Sequence, residues 1–345
     1  MPATIKDVAK LAGVSFKTVS RVINREPSVG KELQEKVWAA AKELNYQPNK
    51  SARLLRGSPS SIAFIYDNPN SHYVIDLQNG ILAECNEQGF DLVIHPCDST
   101  SPGIIDEIVA TVKRAQVAGL VLTPPLSERP EVIDRLREQG IKFVRILSAQ
   151  EADNASPCVF IDDRMAAANI TRHLIGLGHK RIAFLGGDIA HKSSIERLEG
   201  YKQALREHDL SVHEELIIDG DYSFESGVER TKLLLEDNTQ KATAVFACND
   251  EIAAGTLFAA RLLGTEIPAQ LSIVGFEDSP FSRQTWPKLT TAQQPNGSIA
   301  QTAASLLIQD IRNGKKSAST ECTEPSHQGF FPQLVIRDST AQAPA

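Results

Sequence analysis

The sequence predicts an all-α N-terminal domain followed by a larger α/β domain that is built from two lobes. Residues 1–60 carry 11 Lys and Arg but only 5 Asp and Glu, a net charge of +6, whereas the whole chain carries −7. From Ile62 onward, short apolar strands alternate with amphipathic helices, and the alternation starts again after "PCVFIDD". A length of 345 residues is enough for two or three domains, so a basic head on an acidic α/β body is expected.

The first 44 residues have the pattern of three short helices. Thr4 is a good N-cap for "IKDVAKLA", Asp7 stands at the capping-box position, and Gly13 ends this helix in a turn that favours a positive φ. Ser15 then caps a second helix, "FKTVSRVIN". A third helix is expected from about residue 31 to 44, with the apolar stripe Leu33, Val37, Trp38, Ala41 and Leu44. A tight, glycine-containing turn between the first two helices is typical of a helix-turn-helix domain.

The outer face of the second helix suits the major groove of DNA. Arg21 can bind the O6/N7 edge of guanine with two hydrogen bonds, and Lys17 can reach the same acceptors. Phe16 can contact a thymine methyl group, while Ser15, Thr18 and the helix N-terminus can hold phosphates. The alternative, an ordinary solvated helix face, does not explain the turn, the third helix and the basic head together.

The run "TIKDVAKLAGVSFKTVSRVIN", followed by "VWAAAKELNYQPNKSARLLRG", resembles the LacI/GalR family of bacterial transcription regulators, and the likeness continues into the body. The resemblance implies a homodimer whose two heads read a palindromic operator DNA. It assigns base reading to Phe16, Lys17 and Arg21, and we add Asn24 to the expected DNA contacts. Phe16 departs from the tyrosine or threonine often found at its position, and it lacks their hydroxyl group.

The segment "NKSARLLRG" is the predicted hinge. A helix of this length is marginal alone in water, so it is expected to become ordered when paired on DNA. The resemblance implies that a leucine, here Leu55, acts as a wedge in the minor groove and bends the duplex. The alternative is a simple flexible linker. The predicted contacts of the segment with DNA are Asn49, Ala52, Arg53, Leu55 and Arg56.

The repeated strand–helix pattern of the body predicts parallel sheets with helices on both faces. Two such lobes in tandem form a periplasmic-binding-protein-like effector domain, which the resembled family shares. The chain is expected to cross between lobes near Asp162, Gln294 and Cys322. The predicted organisation is a helix-turn-helix domain at 1–48, a hinge helix and linker at 49–60, a first lobe at 61–161 with 295–321, and a second lobe at 162–294 with 322–340.

A ligand of such a domain lies beyond the carboxyl ends of the strands, between the lobes. The loops at those ends offer tyrosine rings that can stack on a sugar and polar groups that can bind its hydroxyls. The resemblance implies that Arg197 and Glu277 make the main contacts, although the family usually has Asp where this chain has Glu277. The predicted ligand-binding residues are Asn68, His72, Tyr73, His191, Ser193, Arg197, Tyr222, Asn249 and Glu277.

Each of these assignments has a plainer alternative. Arg197 can be part of a structural ion pair, and Asn249 with Asp250 can form a turn and helix cap. His72 and His191 can be surface residues. If His191 and Lys192 do face the cleft, they favour an acidic or phosphorylated sugar. Asp278 belongs to the same loop as Glu277 and is a further candidate.

Sequence motifs typical of enzymes are missing from the chain. It has no GxSxG, Walker or HExxH motif, its "FLGGD" turn lacks the GxGxxG spacing, and Asp162 and Asp163 look like capping residues at a lobe crossing. No cofactor and no metal are therefore expected; the five cysteines form no CxxC pair. A charged N-terminal segment and the lack of a long apolar run predict a cytoplasmic protein without a membrane partner. The C-terminal "DSTAQAPA" has no leucine heptad, so a dimer is expected and not a tetramer.

The sequence-based hypothesis is a repressor of a carbohydrate-utilisation operon whose operator affinity depends on a small sugar-like effector. A non-sugar effector such as a nucleobase is the main alternative. A sugar-binding transport protein and an α/β enzyme with an unrelated head are the others. Whether the effector releases or strengthens operator binding stays open at this level.

Overall fold

A computed structural model describes residues 3–23, 29–46, 61–68, 70–149, 154–236, 241–313 and 326–344. The chain divides into two compact units, residues 1–60 and 61–345. The first is helical and the second contains parallel sheets covered by helices. The predicted fold class, a helix-turn-helix domain with a two-lobed α/β domain, is thereby confirmed.

The head begins with the caps that its sequence predicts. Its helices are α1 (Ile5–Ala12), α2 (Phe16–Ile23) and α3 (Lys31–Glu43). The Thr4 backbone N–H donates to Asp7 Oδ2 over 2.8 Å, and the Asp7 N–H donates weakly to Thr4 Oγ1 over 3.4 Å, which completes a capping box. Gly13 adopts φ +66°, a left-handed conformation that costs a glycine little, and so α1 can stop and turn toward α2.

The core of the head is smaller than the sequence pattern indicates. Two members of the predicted α3 stripe, Leu33 and Trp38, are 40% and 43% exposed, and Ala40 is buried in their place. The space between three short, closely packed helices is filled by small side chains and is too small for an indole ring. The buried core residues of the head are Val8, Ala9, Val19, Val22, Val29, Val37, Ala40 and Ala41.

The first lobe of the body is built on a parallel sheet whose strand order is β11-β5-β4-β3-β1-β2. Its strands are β1 (Ser61–Tyr66), β2 (Asp91–Pro96), β3 (Leu120–Leu122), β4 (Phe143–Leu147), β5 (Cys158–Ile161) and β11 (His327–Phe330). The helices of this lobe are α4 (Ser71–Gln88), α5 (Ile104–Ala115), α6 (Pro130–Glu138) and α12 (Asn296–Asn313). Apolar residues of α4 and α12 cover one face of the sheet and those of α5 and α6 the other, as near-continuous apolar strands require.

The second lobe is built on a parallel sheet with the order β7-β6-β8-β9. Its strands are β6 (Ile182–Leu185), β7 (Ile217–Ile218), β8 (Ala244–Ala247) and β9 (Ser272–Val274), and its helices are α7 (Asp163–Gly176), α8 (Lys192–Glu207), α9 (Phe224–Glu236) and α10 (Asp250–Leu262). A short helix α11 (Pro280–Gln284) follows, and β10 (Thr291–Gln293) pairs antiparallel with β12 (Gln333–Val335).

The last predicted lobe crossing requires a correction. Residues 322–340 were assigned to the second lobe, but β11 pairs in parallel with β5 and therefore belongs to the first sheet. Without β11, the edge of the buried strand β5 would keep unpaired backbone groups, and β11 supplies their partners. The chain therefore returns to the second lobe only between β11 and β12.

Helices α7 and α8, which both begin at the cleft between the lobes, pack closely against each other. A Cβ atom at Gly200 of α8 would clash with the Arg164 carbonyl and would lie 2.9 Å from the Ala167 Cβ, both on α7. We expect Gly200→Ala to lower the free energy of unfolding by about 1–3 kcal/mol, measured by urea denaturation, because the helices must separate. Gly176→Ala is the matched control, since a Cβ there meets nothing within 4 Å. If the two variants were equally stable, close packing of α7 against α8 at Gly200 would be contradicted.

Candidate functional site

The outer face of α2 displays the residues predicted to read DNA. The Thr18 N–H donates to Ser15 Oγ over 3.1 Å, so Ser15 is the cap that orients the helix start. Phe16 is 54% exposed, and Lys17 and Arg21 are also exposed. Val19 and Val22 of the same helix lie in the core of the head and fix this orientation. The other predicted DNA contacts, namely Asn24, Asn49, Ala52, Arg53, Leu55 and Arg56, lie outside the described residues.

A second site lies between the two lobes of the body. A cavity of about 40 Å³ is found beyond the carboxyl ends of strands from both sheets, which is where a ligand of this architecture is expected. Seven of the nine predicted ligand-binding residues line it: Asn68, Tyr73, His191, Ser193, Arg197, Tyr222 and Glu277. Its lining also includes residues that sequence reasoning missed, namely Asn70, Pro124, Ser148, Ile161, Asp163 and Gln294.

Arg197 is held rigidly at the back of the cavity. The residue as a whole is 3% exposed, and its Nε donates to Asp163 Oδ1 over 3.0 Å. Its Nη1 donates to the Cys248 carbonyl over 2.7 Å, and the guanidinium carbon lies 3.8 Å from the centre of the Phe276 ring. The ion-pair alternative for Arg197 is therefore also true: the residue lines the cavity and pairs with Asp163.

Glu277 reaches across the cleft from the second lobe. Its Oε2 accepts a 3.0 Å hydrogen bond from Asn70 Nδ2, which belongs to the first lobe, and its Oε1 lies 3.7 Å from Arg197 Nη1. Its φ of +100° is unusual for a residue with a side chain, and such strain is concentrated at functional sites. Two hydrogen bonds hold this backbone, from the Glu277 N–H to the Ala292 carbonyl and from the Gln294 N–H to the Glu277 carbonyl.

Burial weakens the acidity of the two carboxyl groups in the cavity. Desolvation raises the pKa of Glu277 to about 7, although the neighbouring Arg197 opposes the shift. The same desolvation raises the pKa of Asp163 to about 6, again against the effect of Arg197. Both groups thus have a raised pKa, which is a feature of functional sites more than of surface carboxylates.

Tyr222 and its neighbours form one wall of the cavity. The Tyr222 hydroxyl is hydrogen-bonded to Ser193 Oγ at 3.0 Å and to Ser194 Oγ at 2.7 Å. His191 contacts the edge of the Tyr222 ring, with 5.6 Å between ring centres. Burial lowers the pKa of His191, which disfavours a positive charge on its imidazole and so gives no support to an acidic or phosphorylated sugar.

Two predicted ligand-binding residues have other roles in the structure. Asn249 is fully buried and caps α10, since its Oδ1 accepts from the Ile252 N–H over 2.8 Å. His72 packs its ring against Phe281 of the opposite lobe, outside the cavity lining. Asn249 is thus an N-cap, as the plainer alternative held, because the start of a buried helix needs an acceptor for its free N–H groups.

Carboxylates behind the cavity support the Glu277 loop. Asp250 is fully buried; its carboxylate accepts hydrogen bonds from Thr291 Oγ1 and the Ser279 N–H, each over 2.6 Å, and desolvation raises its pKa to about 8. Asp278 accepts from Arg337 Nη2 over 2.6 Å. These contacts anchor the residues that follow Glu277 and so position it.

The missed residues carried weak local signals. Asp163 follows Asp162, and both looked like helix caps; only Asp162 is one, since its Oδ1 accepts from the Met165 N–H. Asn70 stands before α4 as a normal N-cap, and nothing in the sequence connects it to Glu277.

Within the described residues, no group of three or more His, Cys, Asp or Glu could hold a metal ion, and no helix is long and apolar enough to cross a membrane.

Family models match both parts of the chain. Residues 4–49 match the model described as "Bacterial regulatory proteins, lacI family", and residues 171–340 match the "Periplasmic binding protein-like domain". The chain is 34% identical to the transcriptional repressor PurR of Proteus mirabilis (strain HI4320) over 99% of this chain and 98% of that protein. It is 32% identical to the transcriptional regulator DegA of Bacillus subtilis (strain 168), covering 99% of each chain. It is 30% identical to catabolite control protein A of Priestia megaterium, covering 96% of this chain and 99% of that one.

Solved structures show the same likeness over almost the whole chain. A complex of the transcriptional regulator CelR with cellobiose superposes with a TM-score of 0.73 at 28% identity, covering 98% of this chain and 99% of that one. A lac repressor dimer bound to operator and the anti-inducer ONPF gives 0.73 at 26% identity, covering 99% and 100%. The similarity therefore extends over both the head and the body.

Proposed function

This chain belongs to the LacI family of bacterial regulatory proteins as a DNA-binding transcription repressor, and from that premise we propose that a small sugar-like effector bound between its lobes controls its affinity for operator DNA. The curated relatives are transcriptional regulators, so the chain is not an enzyme. We further propose that it acts on a carbohydrate-utilisation operon. Operator affinity would then depend on the concentration of the sugar that the operon's products consume.

The proposed operator contact is the exposed face of α2. Phe16, Lys17 and Arg21 would face base edges in the major groove, while Ser15 and Thr18 would set the register on the phosphates. A homodimer would place two copies of this helix on the two halves of a palindromic operator. The net charge of +6 on residues 1–60 supports attraction to the DNA backbone, with an affinity that falls steeply as salt rises.

The observation that carries the sugar proposal is the chemistry of the interlobe cavity. Tyr73 and Tyr222 line it next to donors and acceptors that can bind hydroxyl groups in pairs, namely the buried Arg197 and the half-buried Glu277 and Asn68. Two of the similar solved structures are regulators described with sugars, the CelR–cellobiose complex and an Enterococcus faecium LacI family regulator with bound ribose. The same architecture thus holds sugars in relatives of this chain.

A nucleobase is the second candidate effector, and the likeness to repressors named PurR favours it. A flat heterocycle could also lie against tyrosine rings and bind Glu277 and the amides of Asn68 and Gln294. The two candidates differ in the number of hydroxyl groups and in ring aromaticity. Direct binding measurements separate them.

Coupling between effector and operator would pass through the relative position of the lobes. The Asn70–Glu277 hydrogen bond joins the lobes directly at the wall of the cavity. A sugar that binds Glu277 in place of Asn70 would break this bond and so change the relative position of the lobes. An effector can shift operator affinity only by the difference between its affinities for the two arrangements.

The experiment that tests this proposal is a parallel screen of ligands and DNA. The protein is screened by thermal shift against sugars, sugar phosphates, uronates and nucleobases, and its operator is selected from random duplexes. We expect at least one sugar to raise the melting temperature and to change operator affinity by fivefold or more, a typical coupling. Stabilisation by nucleobases and by no sugar would replace the first candidate by the second.

A further inference from the structure

The interlobe cavity has an imbalance of charge. Among the lining residues that the structure describes, two carry carboxylates, Asp163 and Glu277, and one carries a guanidinium, Arg197. Asp163 and Arg197 form a direct ion pair at 3.0 Å, with side chains that are 2% and 4% exposed, so their charges compensate each other. Burial lowers the pKa of His191 and so disfavours a positive charge there. When Glu277 ionises, its charge is therefore the surplus charge of the cavity.

Neither contact of Glu277 balances that charge fully. Arg197 Nη1 lies 3.7 Å from Glu277 Oε1, beyond a hydrogen bond, and donates instead to the Cys248 carbonyl at 2.7 Å. The hydrogen bond that Glu277 accepts from Asn70 comes from a neutral amide. Glu277, with 11% of its side chain exposed, therefore shares the guanidinium of Arg197 with Asp163, and a buried carboxylate without a cation of its own is costly to keep ionised.

A second acceptor in the same cavity has no partner. Gln294 is 7% exposed, and its Oε1 makes no hydrogen bond within the described structure. Its Nε2 donates to Asn296 Oδ1 over 2.8 Å, which fixes the amide so that the oxygen remains available as an acceptor. Gln294 lies beside Glu277, since the Gln294 N–H donates to the Glu277 carbonyl over 3.3 Å. Among the described lining residues, the cavity therefore holds one more carboxylate than cations and one buried acceptor without a donor, on two residues that a backbone hydrogen bond joins.

We propose that the cavity selects an amino sugar, whose ammonium group binds Glu277 and Gln294 while its hydroxyls bind the other polar side chains. This inference rests on the proposal that the effector is a sugar bound in this cleft. An ammonium group has three donors and no acceptor, which matches a surplus carboxylate beside an unpartnered carbonyl oxygen. Tyrosine rings, which Tyr73 and Tyr222 supply, add to the attraction for a cation when they face it.

The test compares sugars that differ at one substituent. The full-length protein is titrated calorimetrically at pH 7 with glucosamine, glucose, N-acetylglucosamine and glucuronate, and with the corresponding galactose and mannose series, so that the ring configuration is varied as well. We expect the amino sugar of one series to bind at least about tenfold more tightly than the sugar with a hydroxyl at that position, since the ammonium group adds its own positive charge to the hydrogen bond with the carboxylate and the hydroxyl does not. The acidic sugars should bind most weakly.

Two variants assign the preference to Glu277. Glu277→Gln keeps the length of the side chain and one acceptor oxygen but removes its charge, so the ratio of affinities for amino and hydroxyl sugar should fall from about tenfold to below about twofold. Glu277→Asp keeps the charge and should retain part of the preference. Cooperative thermal unfolding of each variant verifies that it is folded.

The outcomes separate this inference from the function on which it rests. If the wild-type protein binds a neutral or acidic sugar as tightly as its amino counterpart, the amino-sugar inference is wrong and the sugar effector stands. An undiminished preference in Glu277→Gln also overturns it. If no sugar binds at all, or nucleobases alone bind, both proposals fail.

Discussion

The Arg21→Ala variant is expected to lose discrimination between operator and random DNA while it keeps most of its general affinity for DNA. Arg21 lies on the exposed face of α2, and its neighbour Val22 is buried in the head, so the backbone position should not change on substitution. A bidentate contact of arginine with guanine contributes about 1–3 kcal/mol to discrimination in each half-site. In a homodimer, the ratio of operator to random affinity should fall at least about 30-fold.

Fluorescence anisotropy with the selected operator and a scrambled duplex at one salt concentration measures this ratio. Lys36→Ala is the matched control, because it removes one positive charge from α3, where Lys36 pairs with Glu32 at 2.9 Å. The control should lower affinity for both duplexes alike and keep the ratio. If Arg21→Ala retained wild-type discrimination, the assignment of base reading to this residue would be wrong.

Arg197→Ala is expected to abolish the response to effector and to destabilise the body. The substitution removes a cavity-lining donor and leaves the Asp163 carboxylate buried without its ion-pair partner. Breaking one side of a buried pair costs about 3–5 kcal/mol. Operator binding below the unfolding temperature should persist, because the head has its own core.

The stability loss should depend on pH. Burial already holds the folded-state pKa of Asp163 at about 6, above its ordinary value of 3.8, and without the guanidinium it rises further. A carboxyl with a raised pKa favours folding below its unfolded-state pKa, and this contribution is lost as pH rises through the folded-state pKa. The difference between variant and wild type in urea denaturation should therefore be larger at pH 8 than at pH 5.

Arg172→Ala is the control for this substitution. Arg164 is less suitable than Arg172, because its partner Glu196 is buried. Arg172 lies on the same helix, α7, but its side chain is 31% exposed and that of its ion-pair partner Glu207 is 39% exposed. Removing the Arg172 side chain should cost less than about 1 kcal/mol. A response of Arg197→Ala to effector at wild-type concentrations would place the effector elsewhere in the protein.

The head was the part of the chain most readily predicted. The helix caps and the turn of the head depend on contacts between residues that are three to five positions apart, so neighbouring residues in the sequence predict them. These residues are Thr4, Asp7, Gly13 and Ser15. Burial in α3 was predicted less well, because which side chains enter a small core depends on how closely three helices approach. Trp38 is the clearest instance, an apolar residue that lies 43% exposed.

The cleft was predicted in outline and corrected in detail. Loops at the carboxyl ends of parallel strands must meet, and so most of the named candidates do lie together. Asn249 instead caps its own helix, α10. The sequence alone does not distinguish a ligand-binding asparagine from a helix N-cap at this position. The strand β11 likewise joined the first sheet because an unpaired edge was available there.

The sequence by itself determined the helical head and the α/β body, the helix α2 that is predicted to contact DNA, and the group of loops that forms the cleft. These features depend on periodicity, capping and charge within short stretches. Only the tertiary structure decided how the cleft uses its charges. Asp163 and Arg197 are 34 residues apart and Asn70 and Glu277 are 207 apart, yet each pair is in direct contact. Such contacts arise when separate helices and lobes pack, and burial then raises the pKa values of the carboxyl groups that no local pattern distinguishes from surface residues.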